Sequence, residues 1–255
     1  MPYKRLSTKK IADIVGVHPN TVRLYESVGF LPPIPRAANG YRQYTEAHID
    51  QMRLARKVMG SPWLGRPIRR MGVELVLTAA KGDLSEAQWL AYQHLKLVET
   101  ELAQAEQAAE VLARWAAGQQ PETMHGQPAL QIKEAARALN LTVDVLRNWE
   151  RNGLIEVPRN PRNRYRQYGA PQMEHLRVLR ILLRSGYSTM AVLRAMLRMQ
   201  GEGGSSGDVL RQVLDTPRED EDVLTAADRW ITSLRSQQQR ALEIIDLVEE
   251  MLKKL

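Results

Sequence analysis

One stretch of this 255-residue chain comes twice, and the repeat limits what the chain can fold into. Val22-Arg23-Leu24-Tyr25-Glu26, Gly29-Phe30-Leu31 and Tyr41-Arg42-Gln43-Tyr44 recur 124 positions later. The second copies read Leu146-Arg147-Asn148-Trp149-Glu150, Gly153-Leu154-Ile155 and Tyr165-Arg166-Gln167-Tyr168. The offset holds without a gap from Leu6/Leu130 to Met59/Leu183. Chance does not preserve an Arg, a Glu, a Gly and a whole Tyr-Arg-Gln-Tyr in one register. The unit is duplicated, and its chemistry is carried twice.

The unit reads as a helix-turn-helix followed by a wing. Ile11, Ala12, Ile14 and Val15 share one face of a helix over Thr8 to Val15. Gly16 can take the positive φ that ends it, His18 falls at a cap position, and Pro19 sits in the first turn of a second helix. Val22 and Tyr25 face inward there, leaving Asn20, Thr21, Arg23 and Leu24 outward. Pro32-Pro33-Ile34-Pro35 excludes helix, and Asn39-Gly40 predicts a tight hairpin turn with positive φ allowed at both positions. Tyr41 to Tyr44 is then the returning strand.

At these residues the chain resembles the MerR family of bacterial transcription regulators, over about 75 residues in each half. Members share a helix-turn-helix ending in Arg-x-Tyr/Trp-Glu-x-x-Gly-Leu and a Gly-Tyr-Arg-x-Tyr wing. Two positions of the second copy depart from the first: Asn140 replaces the turn glycine, and Arg164 replaces Gly40, which predicts a differently shaped wing tip.

Charge supports a phosphate-facing role. Residues 1–60 hold 10 Lys/Arg against 4 Asp/Glu and residues 130–200 hold 13 against 5, whereas 61–129 and 201–255 are net acidic. The chain's net charge of +7 therefore sits on the repeats, the footprint of a nucleic-acid binder. Absence of cysteine excludes disulfides and thiolate sensing, which much of the resembling family uses. With no membrane-length apolar run and no signal core, a soluble protein of the bacterial cytoplasm is expected.

After the first wing, helices are expected at Glu46–Met59 and 66–80. A long one from Ser85 carries Leu95, Val98, Leu102, Ala105, Ala109, Leu112 and Ala116 at coiled-coil spacing. Gln119 to Pro128 reads as a linker and Gly201 to Gly207 as a flexible tract. Helices are expected at Pro171–Leu183, Thr189–Met199 and near Asp208–Leu214, with a last long helix from Val223 to Leu255. The expected fold is mainly α: two winged helix-turn-helix units with small β-hairpin wings, each followed by a long coiled-coil helix. The segments are 1–82, 83–118, 119–128, 129–201 and 202–255.

The resemblance implies DNA contact through Asn20, Thr21, Arg23, Leu24, Tyr25, Tyr41 and Arg42 in the first copy. In the second it implies Asp144, Val145, Arg147, Asn148, Trp149, Arg162, Arg164, Tyr165 and Arg166. Glu26 and Glu150 are expected to tie the helix to nearby basic residues, since a carboxylate is repelled by phosphate. The resemblance also implies a promoter site in double-stranded DNA distorted so that RNA polymerase can engage, with a small organic effector as a candidate partner. Trp63, Trp89, Tyr92, Trp115, Tyr187 and Trp230 are candidates for lining an effector pocket, although helix packing accounts for them more simply. In ordinary members two chains pair through antiparallel long helices; here the repeats are expected to form that pair within one chain as a pseudo-dimer. A DNA-bending accessory protein of the excisionase kind is the alternative. No enzyme is indicated: His18, His48, His94, His125 and His175 never cluster with carboxylates, and no phosphate loop or nucleophile elbow occurs. No cofactor is expected.

Overall fold

The computed structural model describes residues 6–60, 65–119, 128–200, 206–217 and 226–254. Linker residues 120–127, residues 201–205 of the Gly/Ser tract, the acidic segment Arg218 to Asp222, the expected helix start at Val223, Trp63 and His125 lie outside them. The chain is mainly helical. In order come α1 (Thr8–Val15), α2 (Pro19–Ser27), α3 (Glu46–Met59), α4 (Arg66–Ala80), α5 (Leu84–Ala116), α6 (Ile132–Ala138), α7 (Val143–Arg151), α8 (Ala170–Arg184), α9 (Thr189–Gln200), α10 (Gly207–Asp215) and α11 (Trp230–Leu252). They form two compact units, residues 1–100 with 234–255, and residues 101–233.

The turn between α1 and α2 is built by its sequence. Ser7 caps α1, Gly16 ends it at φ 68°, and the His18 Nδ1 accepts from Asn20 N at 3.2 Å ahead of Pro19. In the second copy Asn140 takes the left-handed position at φ 50°, and Thr142 caps α7. Asn tolerates that conformation better than most side chains. Ile11, Ala12, Val15, Val22, Leu31, Tyr44, Ile49 and Met52 form the small core of the first copy. Their counterparts Ala135, Ala136, Leu139, Leu146, Ile155, Tyr168, Met173 and Leu176 are buried as well. Burying such side chains, at about 1.5–3 kcal/mol for a Leu or Ile, is what holds helices this short in place.

The expected β-hairpin wings are a correction. Among the described residues there is no strand, only isolated antiparallel bridges at Arg36–Arg42 and Arg159–Arg166, and at Leu6–Tyr44 and Leu130–Tyr168. Proline explains why. Gln43 N donates to Pro35 O at 2.8 Å and Gln167 N to Pro158 O at 2.9 Å, but neither proline has an N–H to return the bond. Each ladder stops after one rung. The turn also differs from the prediction: of Asn39 and Gly40 only Gly40 has positive φ (80°). Ala37 N bonds Tyr41 O and Gly40 N bonds Ala37 O, closing a three-residue tip.

In the first unit, α3 and α4 pack so closely that a Cβ on Gly72 would lie 2.8 Å from Val58. The start of α5 and most of α11 cover them, with Leu75, Val76, Ala87, Leu90, Ile244 and Val248 in one buried cluster. The two long helices run antiparallel there, Tyr92 bonding Glu249 and Gln238 bonding Glu99. Lys57–Glu243 (2.5 Å) and Lys254–Asp50 (2.7 Å) tie α11 to α3. Inside the seam, His94 and Gln237 are 2% and 4% exposed and face each other at 3.2 Å. Burial pulls the His94 pKa down to about 4.

The second unit uses the rest of α5. Tyr187 Oη donates to Ala105 O at 3.0 Å, Trp115 stacks on His175 with centroids 4.9 Å apart, and Gly207 sits against Ala113. Trp230 lies on Gly186 and donates to Ser185 O at 2.6 Å. The last helix of the described residues runs from Trp230, after a 3₁₀ turn over Ala226–Arg229. The Asp215 carboxylate accepts from Thr232 N at 3.1 Å, capping the helix there from outside.

Candidate nucleic-acid interface

Each repeat fixes its second helix to the loop that follows it by a short Glu–Arg ion pair, and in the second copy Arg159 also approaches Glu150, at 3.9 Å. The Arg42 Nε donates to Glu26 at 2.6 Å, and the Arg166 Nε donates to Glu150 at 2.5 Å. The glutamates do tie the helix to basic residues, and the residue they hold is the wing arginine itself. Only Nε is used, so the outer guanidinium N–H groups remain for an acceptor. Beneath them Tyr44 and Tyr168 are fully buried, and burial raises both phenol pKa values.

On α2, Asn20, Arg23 and Leu24 are exposed, Leu24 to 55%, while Thr21 and Tyr25 are half-buried. Tyr25 packs edge-on to Phe30 at 5.5 Å. On α7, Asp144, Arg147 and Asn148 are exposed, Val145 is half-buried and Trp149 is buried. Asp144 pairs with Arg147 at 3.4 Å, a restraint that Arg23 lacks because Asn20 stands where Asp144 does. Tyr41 and Tyr165, at the loop tips, are 71% and 64% exposed.

The two tips differ for a reason the constant offset conceals. In the second copy Asn160 N bonds Tyr165 O and Arg164 N bonds Asn160 O, so four residues close the tip. Pro158 plays the part of Pro35, 123 positions on, while the return side stays at 124. Arg164 nevertheless keeps the left-handed backbone of Gly40, at φ 62°. Arg159, Arg162 and Arg164 thus surround an enlarged tip, all exposed.

Three exposed arginines absent from the sequence-based set, Arg66, Arg69 and Arg70, begin α4. Their spacing within five residues was the available signal. The register that matches the copies ends at Met59/Leu183; the helix that follows in the second copy, α9, carries Arg194, which is buried and bonds the carbonyls of Val213, Leu214 and Asp228. Of the effector-pocket candidates, Tyr187 and Trp230 are buried, Trp115 stacks on His175, and Trp89 and Tyr92 are exposed.

Two helix-turn-helix units, each with a tethered arginine beside an exposed second helix, define the chain as a tandem helix-turn-helix protein. Residues 7–44 match the MerR family regulatory protein profile and residues 130–200 the MerR HTH family regulatory protein profile. The chain belongs to the MerR family, with two units. It is 35% identical over 52 residues to the HTH-type transcriptional regulator CueR of Escherichia coli O6:H1, covering 20% of this chain and 38% of that protein. It is 24% identical over 111 residues to the Probable heavy metal-dependent transcriptional regulator of Haemophilus influenzae, covering 43% and 84%. With the Mercuric resistance operon regulatory protein of Bacillus cereus it shares 33% over 49 residues, 19% and 37% of the two chains. The chain thus spans less than two fifths of the length of the CueR relatives. No solved structure matches it significantly. Among the described residues no helix is long and apolar enough to cross a membrane.

Proposed function

We propose that this chain is a transcription regulator that grips promoter DNA with both repeats and distorts it. The observation that carries this is the repeated Glu–Arg tether, which in both copies sets a guanidinium beside the exposed second helix. Contacts of that kind position a protein on phosphate and meet the few kcal/mol that bending or untwisting a site costs. RNA polymerase is the partner such a distortion serves. The segments 31–44 and 155–168 act as wings although they are loops, and the exposed α2 and α7 residues face the groove. Arg66, Arg69 and Arg70 add phosphate contacts in the first copy alone.

The repeats act as a pseudo-dimer in one chain. Support comes from inside each unit: α11, which follows the second repeat, packs on the first, and the end of α5, which follows the first, packs on the second. The half-sites differ, because Asn20 can pair with adenine whereas Asp144 is held on Arg147. Metal dependence is not carried over from the relatives, for no thiolate exists here.

The test is selection of bound duplexes from a random library, then anisotropy titration across salt concentrations and light scattering of the complex. Arg42→Ala and Arg166→Ala should each weaken binding to all sequences and lower the salt slope by about 1. The selected site should be an imperfect palindrome holding one chain. Unchanged slopes in both variants remove the wing assignment, and two chains per duplex remove the pseudo-dimer.

A further inference from the structure

Each unit contains a groove built from equivalent parts, and the duplication allows the two to be compared position by position. In the first unit a groove of about 770 Å³ lies along α3, bounded by the end of α1 and by α11. In the second a groove of about 670 Å³ lies along α8, bounded by the end of α6 and by α5. Arg53, Arg56 and Gly60 line the first; Arg177, Arg180 and Arg184 stand at the same positions in the second.

Three of the four cations that line the first groove, all but Arg240, are spent internally. Arg56 donates to the Val15 carbonyl at the end of α1, Lys57 is paired with Glu243, and Arg53 lies 3.5 Å from Asp50. Two replacements release the second groove from both closures. A Cβ on Gly16 would come to 3.1 Å from the Arg56 guanidinium, and Asn140, in the same left-handed conformation, carries that Cβ. Arg180 makes no bond to the Leu139 carbonyl, and neither it nor Arg184 has an ion-pair partner among the described residues. Lys57 is replaced by Ile181, 38% exposed, and Val111 lines the rim where Glu243 closed the first. No carboxylate lines this groove, and its floor is apolar, with Leu139 beside Ile181 and Val111.

We propose that the second groove is a binding site for an organic anion, an acidic head on an apolar body. Arg180 and Arg184, four positions apart on α8, present their guanidinium groups along one helix face, the arrangement that takes a carboxylate, sulfonate or phosphate. Ile181, Val111 and Leu139 take the body. A phosphate backbone would use the arginines and leave that floor uncovered. The volume lies in the range of small-molecule sites, about 300–1,000 Å³. The site does not depend on the DNA-binding reading.

The full chain should be titrated with 8-anilinonaphthalene-1-sulfonate, read by fluorescence, beside its uncharged analogue N-phenyl-1-naphthylamine. The sulfonate should bind saturably and at least about tenfold more tightly than the neutral probe. Arg180→Gln/Arg184→Gln should lower its affinity about tenfold, with helicity and thermal midpoint unchanged. Asn140→Gly keeps every arginine but reopens the capping position to Arg180, and should weaken binding about threefold to tenfold. Arg53→Gln should leave it as it was. Equal binding of the two probes, or an undiminished affinity in the double variant, would overturn the proposal. So would displacement of the sulfonate by duplex DNA together with a salt slope lowered in the double variant, since the arginines would then be phosphate contacts.

Discussion

His94 makes the seam between α5 and α11 sensitive to mild acid. Its ring is 2% exposed, beside Gln237, and its pKa is lowered by burial from 6.5 to about 4. Since the folded-state value lies below the unfolded one, the unfolded chain binds the extra proton between these two pH values. The seam's stability is therefore complete above pH 6.5 and falls as pH drops toward 4. Linkage puts the loss from this one residue at about 2 kcal/mol between about pH 8 and pH 5, rising to about 3 kcal/mol below pH 4. His94→Leu removes the titration. It also deprives Gln237 of a partner, but that cost does not vary with pH. Urea unfolding followed by circular dichroism at both pH values, on wild type and variant, isolates the difference. His175, whose pKa burial also lowers to about 4, contributes equally to both proteins and cancels. The variant should lose about 2 kcal/mol less than wild type on acidification. An equal loss in both would mean that the imidazole is not held neutral by the seam.

Arg164→Gly relieves a left-handed backbone at φ 62° and should stabilise the chain by about 1 kcal/mol, while removing a cation that lowers the DNA salt slope by about 1; a lower thermal midpoint would contradict the strain. Glu26→Ala deletes a negative charge from the side proposed to meet DNA, which by electrostatics alone would strengthen binding. If the Arg42 tether matters as argued, anisotropy will instead show affinity falling about fivefold. Gly186→Ala combines φ 95° with a Cβ 2.5 Å from the Trp230 ring and should cost about 3 kcal/mol in urea unfolding; a cost under about 1 kcal/mol would show that the ring yields freely.

Much of each repeat could be read from residue chemistry. His18-Pro19 marks a helix start, Gly16 and Asn140 mark a left-handed stop, and Ile11, Ala12, Val15 and Val22 lie in the observed core, whereas Ile14, expected on the same face, is 39% exposed. What escaped were interactions between distant residues. His94 falls between the apolar seam positions Ala91 and Leu95, and nothing local says that Gln237 will face it. The Lys57–Glu243 pair joins residues 186 apart. The wing strands were expected from alternation, but alternation does not reveal which N–H a facing proline lacks. The start of α11 is set by Asp215, a residue of another helix.

The displaced proline in the second loop has a practical meaning for anyone exchanging parts between the repeats. Pro35 and Pro158 do equivalent work one position out of step, yet both loops leave and rejoin their helical frames at matched residues, Leu31 with Ile155 and Tyr44 with Tyr168. A loop transplanted whole therefore fits without changing the chain's length. Residue-by-residue conversion must pass through sequences in which the proline of one loop meets the tip of the other, with the carbonyl that accepts from Gln43 or Gln167 pointing the wrong way. The loop behaves as an indivisible cassette, so chimeras must carry it from end to end.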